Sequence, residues 1–198
     1  MKYDIVESKK EVINMGLAKF ERRKDEKIDG VIYDMSPSPE YRHCIVNGNI
    51  YAMIKQGLKN SICLVSIENL DFKYHPDEND DYVCPDIMII CDRKYLKGGA
   101  YSGIPKFIAE TLSHSTAKKD RTKKKDIYEK AGVEEYWIVS PQGSLEIYFL
   151  QDGKYILEQN YMLQNDREDE DYNAETEICL RGFPHIKMTL GEIFEGVE

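Results

Sequence analysis

The chain has 198 residues, 41% hydrophobic and 32% charged, with a formal net charge of -9. That composition reads as one globular domain, 1–198, long enough to bury a core without staples. It excludes a membrane span, because no run approaches the ~20 apolar residues required, and its acidity disfavours indiscriminate coating of nucleic acid. Residues 1–10 lack the apolar core of a secretory signal, so a cytoplasmic location is expected.

Residues 8–24 read as a first, peripheral helix, with Ser8 and Glu11 spaced as a capping box. Residues 27–35 read as a strand closed by Ser36-Pro37-Ser38-Pro39, since two prolines in four residues end any strand. A second helix is expected over 39–59, capped by Ser38, with Tyr41, Ile45, Ile50, Met53, Ile54 and Leu58 as its buried stripe. His43 lies one turn into it, where a solvated or core-satisfied histidine is the plain reading. A short strand at 61–67 precedes an acidic, solvated loop at 75–81.

Two apolar strands follow, 83–91 (VCPDIMIIC) and 104–112 (IPKFIAETL), joined by a glycine-rich connection. The next helix, 115–131, is capped by Ser113 or Ser115 and stopped by Gly132. Within it Asp120, Lys124 and Tyr128 recur every four residues and share a face. A strand at 135–139 leads to a hairpin, 145–150 with 154–157, across the Asp152-Gly153 turn. An acidic exposed stretch at 165–173, strands at 177–180 and 186–190, and a turn at 190–194 complete an α/β pattern with a mixed sheet. The five cysteines include no CxxC pair and read as small core hydrophobes in a reducing compartment, not as a zinc or disulfide framework.

The two apolar strands each carry one acid, Asp86 and Glu110, 24 positions apart. A charge buried among aliphatic side chains is costly unless something compensates it. If the strands are sheet neighbours, the acids converge and a shared divalent cation is the economical explanation. Mg²⁺ suits such oxygen ligands, with Mn²⁺ as a substitute. Lys124 is placed to orient water or offset developing charge. Lys123 and Lys125 stand about 100° to either side of it and face solvent or DNA. Taken singly these signals are weak. Such acids also serve as strand-end ion pairs, and residues 118–125, with six bases and one acid, are also a solvated face that could contact phosphates.

The ordered set is more specific. Pro85-Asp86, Gly103-Ile104-Pro105, Glu110 through Thr116, Asp120-Arg121, Lys124, Tyr128 and Gly132 through Trp137 resemble the Uma-type putative restriction endonuclease family of the PD-(D/E)XK nuclease superfamily. Asp29-Gly30, Met35-Ser36-Pro37 and His43 match the same pattern. The resemblance implies a restriction-endonuclease-like core, a mixed central sheet flanked by helices. It implies Asp86 and Glu110 as metal ligands and Lys124 as a catalytic lysine moved from the strand onto the helix, since the strand position is Leu112. Asp120, Tyr128 and His43 become neighbours of the site. Val31 stands where the family often has an acid.

The reading that follows is a Mg²⁺-dependent endonuclease hydrolysing DNA phosphodiester bonds. Lys118, Lys119, Arg121, Lys123 and Lys125 are its nucleic-acid contacts, and a homodimer is a candidate assembly for cutting both strands. The alternatives are a non-cleaving nucleic-acid-binding module on the same fold and a protein-interaction domain using the acidic loops.

Overall fold

Turn chemistry divides the chain before packing does. The computed structural model describes residues 25–34, 40–113, 116–164 and 173–197. The expected helix at 8–24, the Ser-Pro turn with Ser38, the Ser115 cap and most of the acidic run at 165–173 lie outside them. The single strand expected over 27–35 is instead a hairpin, β1 (Asp25–Ile28) and β2 (Val31–Asp34). Asp29 and Gly30 form its two-residue turn with φ of 53° and 74°. A tight hairpin needs positive φ at both central residues, and Asp-Gly supplies that at low cost.

The helix α1 (Tyr41–Gly57) buries His43, Val46, Asn47, Ile50 and Ile54 at helical spacing. Of the expected stripe, Ile50, Ile54 and Leu58 are buried, but Tyr41 is exposed and Ile45 half-buried, and the polar His43 and Asn47 face inward instead. Next come β3 (Leu64–Ile67), β4 (Asp71–Phe72), β5 (Ile87–Ile90), β6 (Leu96–Lys97), β7 (Ala100–Tyr101) and β8 (Phe107–Thr111). A helical crossover follows: α2 (Ala117–Lys119), a π-helical segment (Asp120–Lys124) and α3 (Lys125–Ala131). Gly132 ends it in the left-handed conformation, φ 84°. The chain closes with β9 (Glu135–Ser140), β10 (Ser144–Gln151), β11 (Lys154–Met162), β12 (Glu177–Leu180), β13 (Phe183–Thr189) and α4 (Leu190–Ile193). The expected Asp152-Gly153 hairpin is present, both residues having positive φ.

The main sheet has six strands in the order β11-β10-β9-β8-β5-β3. Only β8 and β9 run parallel, as the helical crossover between them requires. The other four pairings are antiparallel, so the sheet is mixed and the fold α/β. Alternation along β8 gives each face its own core. Phe107 and Ala109 join α1, β13 and α4 on one side. Ile108 joins Ile28, Phe72, Ile127, Tyr128 and Tyr136 on the other.

Cys63 and Cys91 correct the reading of all cysteines as reduced. Leu64 pairs with Ile90 in the β3–β5 ladder, so the two cysteines stand one step beyond it, and they are disulfide-bonded across the strands. Cys44, Cys84 and Cys179 are not disulfide-bonded. Asp81 corrects the solvated loop: it is buried, and its carboxylate accepts the Gly30 N–H at 3.1 Å, holding the β1–β2 turn. Among the described residues no helix is long and apolar enough to cross a membrane.

Candidate functional site

β5 and β8 are antiparallel neighbours with Ile87 opposite Ala109, and one further step of that register sets Asp86 against Glu110. The two acids therefore meet at one end of the sheet, as the sequence required for a shared site. Asp86 lies where both faces are within reach. Its Oδ2 accepts the Thr111 backbone N–H at 2.8 Å and stands 3.0 Å from His43 Nε2 on α1. Behind the imidazole, Asn47 Nδ2 is 3.3 Å from His43 Nδ1, and Thr111 Oγ1 donates to Asn47 Oδ1 at 2.6 Å. His43 and Asn47 are four residues apart, one helical turn, and so present one face to β8. Glu68 completes this half: one ligand atom each from His43, Glu68 and Asp86 lies within 4.8 Å of the others.

The other half is built on Lys124, which is 2% exposed. Its Nζ lies 2.9 Å from Glu26 Oε1, 3.0 Å from Glu110 Oε1 and 3.5 Å from Asp120 Oδ1. Tyr128 donates its hydroxyl to the same Glu110 oxygen at 2.5 Å. Glu26 is anchored further by Lys119 Nζ at 2.7 Å and by the Cys84 N–H at 3.2 Å. Tyr136 donates to the Asp120 backbone carbonyl at 3.1 Å, fixing the π-helical segment to β9.

Three carboxylates thus gather around one buried ammonium, and Asp86 acts on it electrostatically. Burial pushes the Glu110 carboxyl well above the usual range, and Asp86, Asp120 and Glu26 add to it against the pull of Lys124. Burial likewise raises Asp120, although Lys124 and a hydrogen bond from Thr116 favour its charged form and oppose the shift. Neither Asp120 carboxylate oxygen has a hydrogen bond of full geometry among the described residues. For Asp86 burial is outweighed by the hydrogen bond and charge of His43, so its carboxyl sits low. His43 is correspondingly held above its ordinary value despite burial, and Lys124 well above its own by the surrounding acids. The crowding keeps the Glu110 and Asp120 carboxyls above their ordinary range, which a bound cation would relieve, and the donors are hard oxygens plus one imidazole. That donor set fits a divalent cation.

Each residue singled out from the sequence can now be placed. Asp86, Glu110, Lys124, His43, Asp120 and Tyr128 converge. The basic run does not form a free row. Lys119 turns inward to Glu26, and Lys123 donates to Tyr33 Oη at 2.9 Å. Arg121 pairs with Glu146, and the Lys125 ammonium lies 3.8 Å above the Tyr148 ring. Lys118 is exposed. Val31 points outward from the hairpin, and the acid this hairpin delivers to the site is Glu26. Sequence reasoning missed Glu26, Asn47, Glu68 and Thr111. The four-residue interval from His43 to Asn47 and the alternation placing Glu26 beside Ile28 were signals for two of them.

A family model described as Uma2, putative restriction endonuclease, matches residues 17–178. The chain is 28% identical over 127 residues to the uncharacterised protein slr1290 of Synechocystis sp. (strain ATCC 27184 / PCC 6803 / Kazusa), covering 64% of this chain and 65% of that protein. The match thus spans just under two thirds of that relative's length. The crystal structure of a putative nuclease belonging to DUF820 from Anabaena variabilis ATCC 29413 superposes with a TM-score of 0.68. It shares 16% identity over 88% of this chain and 91% of that one, a likeness of fold.

Proposed function

Because the chain belongs to the Uma2 family of restriction endonuclease-type proteins, we propose that it is a metal-dependent endonuclease hydrolysing DNA phosphodiester bonds. One observation carries the reading: Glu26, Glu110 and Asp120 lie within 3.5 Å of the buried Lys124 and Asp86 acts on it electrostatically, a crowding that pushes the Glu110 and Asp120 carboxyls up and that a divalent cation would relieve. Asp86 and Glu110 hold that cation, Mg²⁺ or Mn²⁺, which when bound supplies a water of lowered pKa and neutralises phosphate charge.

The chain's own residues have separable parts. Lys124 stays protonated, since the acids around it hold its pKa well above the ordinary value. It therefore acts as a fixed positive charge beside the scissile phosphate and not as a base. Tyr128 and Lys124 both donate to Glu110 Oε1 and so fix the carboxylate that would help hold the cation. His43 holds Asp86 in place and keeps it ionised. Lys118 and the rim bases Arg121, Lys123 and Lys125 meet the phosphate backbone, trading their internal partners for DNA. A homodimer would place two such sites on opposite strands.

Plasmid relaxation in Mg²⁺ or Mn²⁺ tests this. Asp86→Asn and Glu110→Gln are expected to abolish cleavage while remaining folded. Undiminished cleavage by the Asp86 variant would sink the mechanism. Salt-sensitive DNA binding without cleavage, insensitive to Asp86, would identify a binding module instead.

A further inference from the structure

We infer that Glu68 is a third metal ligand beside His43 and Asp86, and that the imidazole makes this a site for a first-row transition ion of the Mn²⁺ class in preference to Mg²⁺. The inference deepens the metal-dependent reading by naming the ion class and two donors that the paired strand carboxylates do not include.

Three observations converge. The His43, Glu68 and Asp86 donor atoms lie within 4.8 Å of one another, close enough to close around one ion with small side-chain shifts. Glu68 is held there by its backbone. It has φ of 44°, followed by Asn69 at 55°, and its N–H donates to the Asp86 carbonyl at 2.8 Å, so two of the three donors share one fixed scaffold. Left-handed backbone is unfavourable at a non-glycine residue. Independently, the Asp120 carboxylate is 1% exposed, has no hydrogen bond of full geometry among the described residues, with the Lys124 ammonium at 3.5 Å, and acts electrostatically on His43, so a further buried acid faces the same cluster.

The ring is also prepared for ligation. With Thr111 donating to Asn47 Oδ1, the Asn47 amide faces His43 Nδ1. Turning that amide over lets it accept from Nδ1–H, while the Thr111 hydroxyl rotates to accept. Nε2 then exchanges its hydrogen bond to Asp86 Oδ2 for a bond to an ion held between the two, with the ring oriented from behind as metal-bound histidines are. Imidazole suits transition ions, whereas Mg²⁺ favours carboxylate, carbonyl and water oxygens.

The test uses the full chain and Mn²⁺ alone. Mn²⁺ binding is followed by electron paramagnetic resonance titration, and ¹⁴N coupling to the bound ion by electron spin echo envelope modulation. Mg²⁺ affinity is measured by competition. The expected result is tighter binding of Mn²⁺ than Mg²⁺ and an imidazole ¹⁴N signal. His43→Gln should lose both the signal and the preference. Glu68→Gln should weaken Mn²⁺ by about tenfold or more, with an unchanged thermal midpoint; Glu68→Ala repeats this without the amide.

Wild-type Mn²⁺ affinity retained in both Glu68 variants, or bound Mn²⁺ without nitrogen coupling, overturns the proposal. If Asp86→Asn still abolishes binding in that case, the metal-dependent reading survives alone. Binding that obeys the triad in a protein that never cleaves DNA leaves the triad standing and removes the nuclease reading.

Discussion

Lys124 is both a candidate catalytic residue and the cation that makes a cluster of buried acids tolerable. Removing it strands Glu26, Glu110 and Asp120 together. Breaking a buried pair by deleting one partner costs about 3–5 kcal/mol, so Lys124→Ala should lower unfolding free energy by roughly that amount in urea titrations, in addition to abolishing cleavage. Glu110→Gln removes one of the competing negative charges and should leave stability within about 1 kcal/mol of wild type. A Lys124→Ala protein as stable as wild type would mean the acids are not charged together as described. The sequence made Asp86, Glu110 and the Asp120-Lys124-Tyr128 face legible because apolar context and four-residue spacing are local signals. Glu68 was not legible, because its role arises from a left-handed turn that leaves no pattern over the few residues around it. Glu26 left only its alternation with Ile28, and its role arises from a hairpin folding back.

Glu135, at the start of β9, shows how one carboxylate can bolt an element. It accepts from Trp137 Nε1 at 2.8 Å and from the Arg181 N–H at 2.9 Å, tying the β12–β13 turn to the main sheet. Burial raises its pKa from 4.5 to about 7, against those hydrogen bonds. A carboxyl raised in the folded state keeps its proton where the unfolded chain has lost it. Its contribution therefore declines as pH rises from about 4.5 through about 7, by on the order of 3 kcal/mol. Urea titrations at pH 5, 6, 7 and 8 should show wild type losing stability relative to Glu135→Ala across that window. Parallel curves would refute the assignment. The β1–β2 hairpin gives a second element-scale expectation. Asp81→Ala removes the hydrogen bond to the Gly30 N–H, which water can replace at this exposed turn, and should cost about 0.5–1.5 kcal/mol, the net worth of a typical hydrogen bond. The Asp29-Gly30 turn was readable in principle, because the same dipeptide was read correctly at Asp152-Gly153. An apparent continuous strand masked it.

At the scale of the molecule, alternation and the helical crossover sufficed to foresee a mixed sheet with two covered faces, but strand order was not readable. Only the register shows that β3 neighbours β5, and with it that Cys63 and Cys91 meet. Their bond closes a loop of sequence separation 28, which loop-closure entropy values at about 3–4 kcal/mol. Reduction by dithiothreitol should lower the thermal midpoint, and Cys63→Ala should remove that sensitivity. The widened turn of Asp120–Lys124 has a consequence of another kind. A π-helical turn accommodates one residue more than an α-helical turn of similar rise, and each helical residue advances about 100°. Excising one position there would leave Lys124 and Tyr128 aimed at Glu110 but swing Asp120 out of the cluster. In an alignment of relatives, a single-residue gap between positions 120 and 124 should therefore mark those in which the acid has been lost or shifted by one place, dividing the lineage by the phase of one helix.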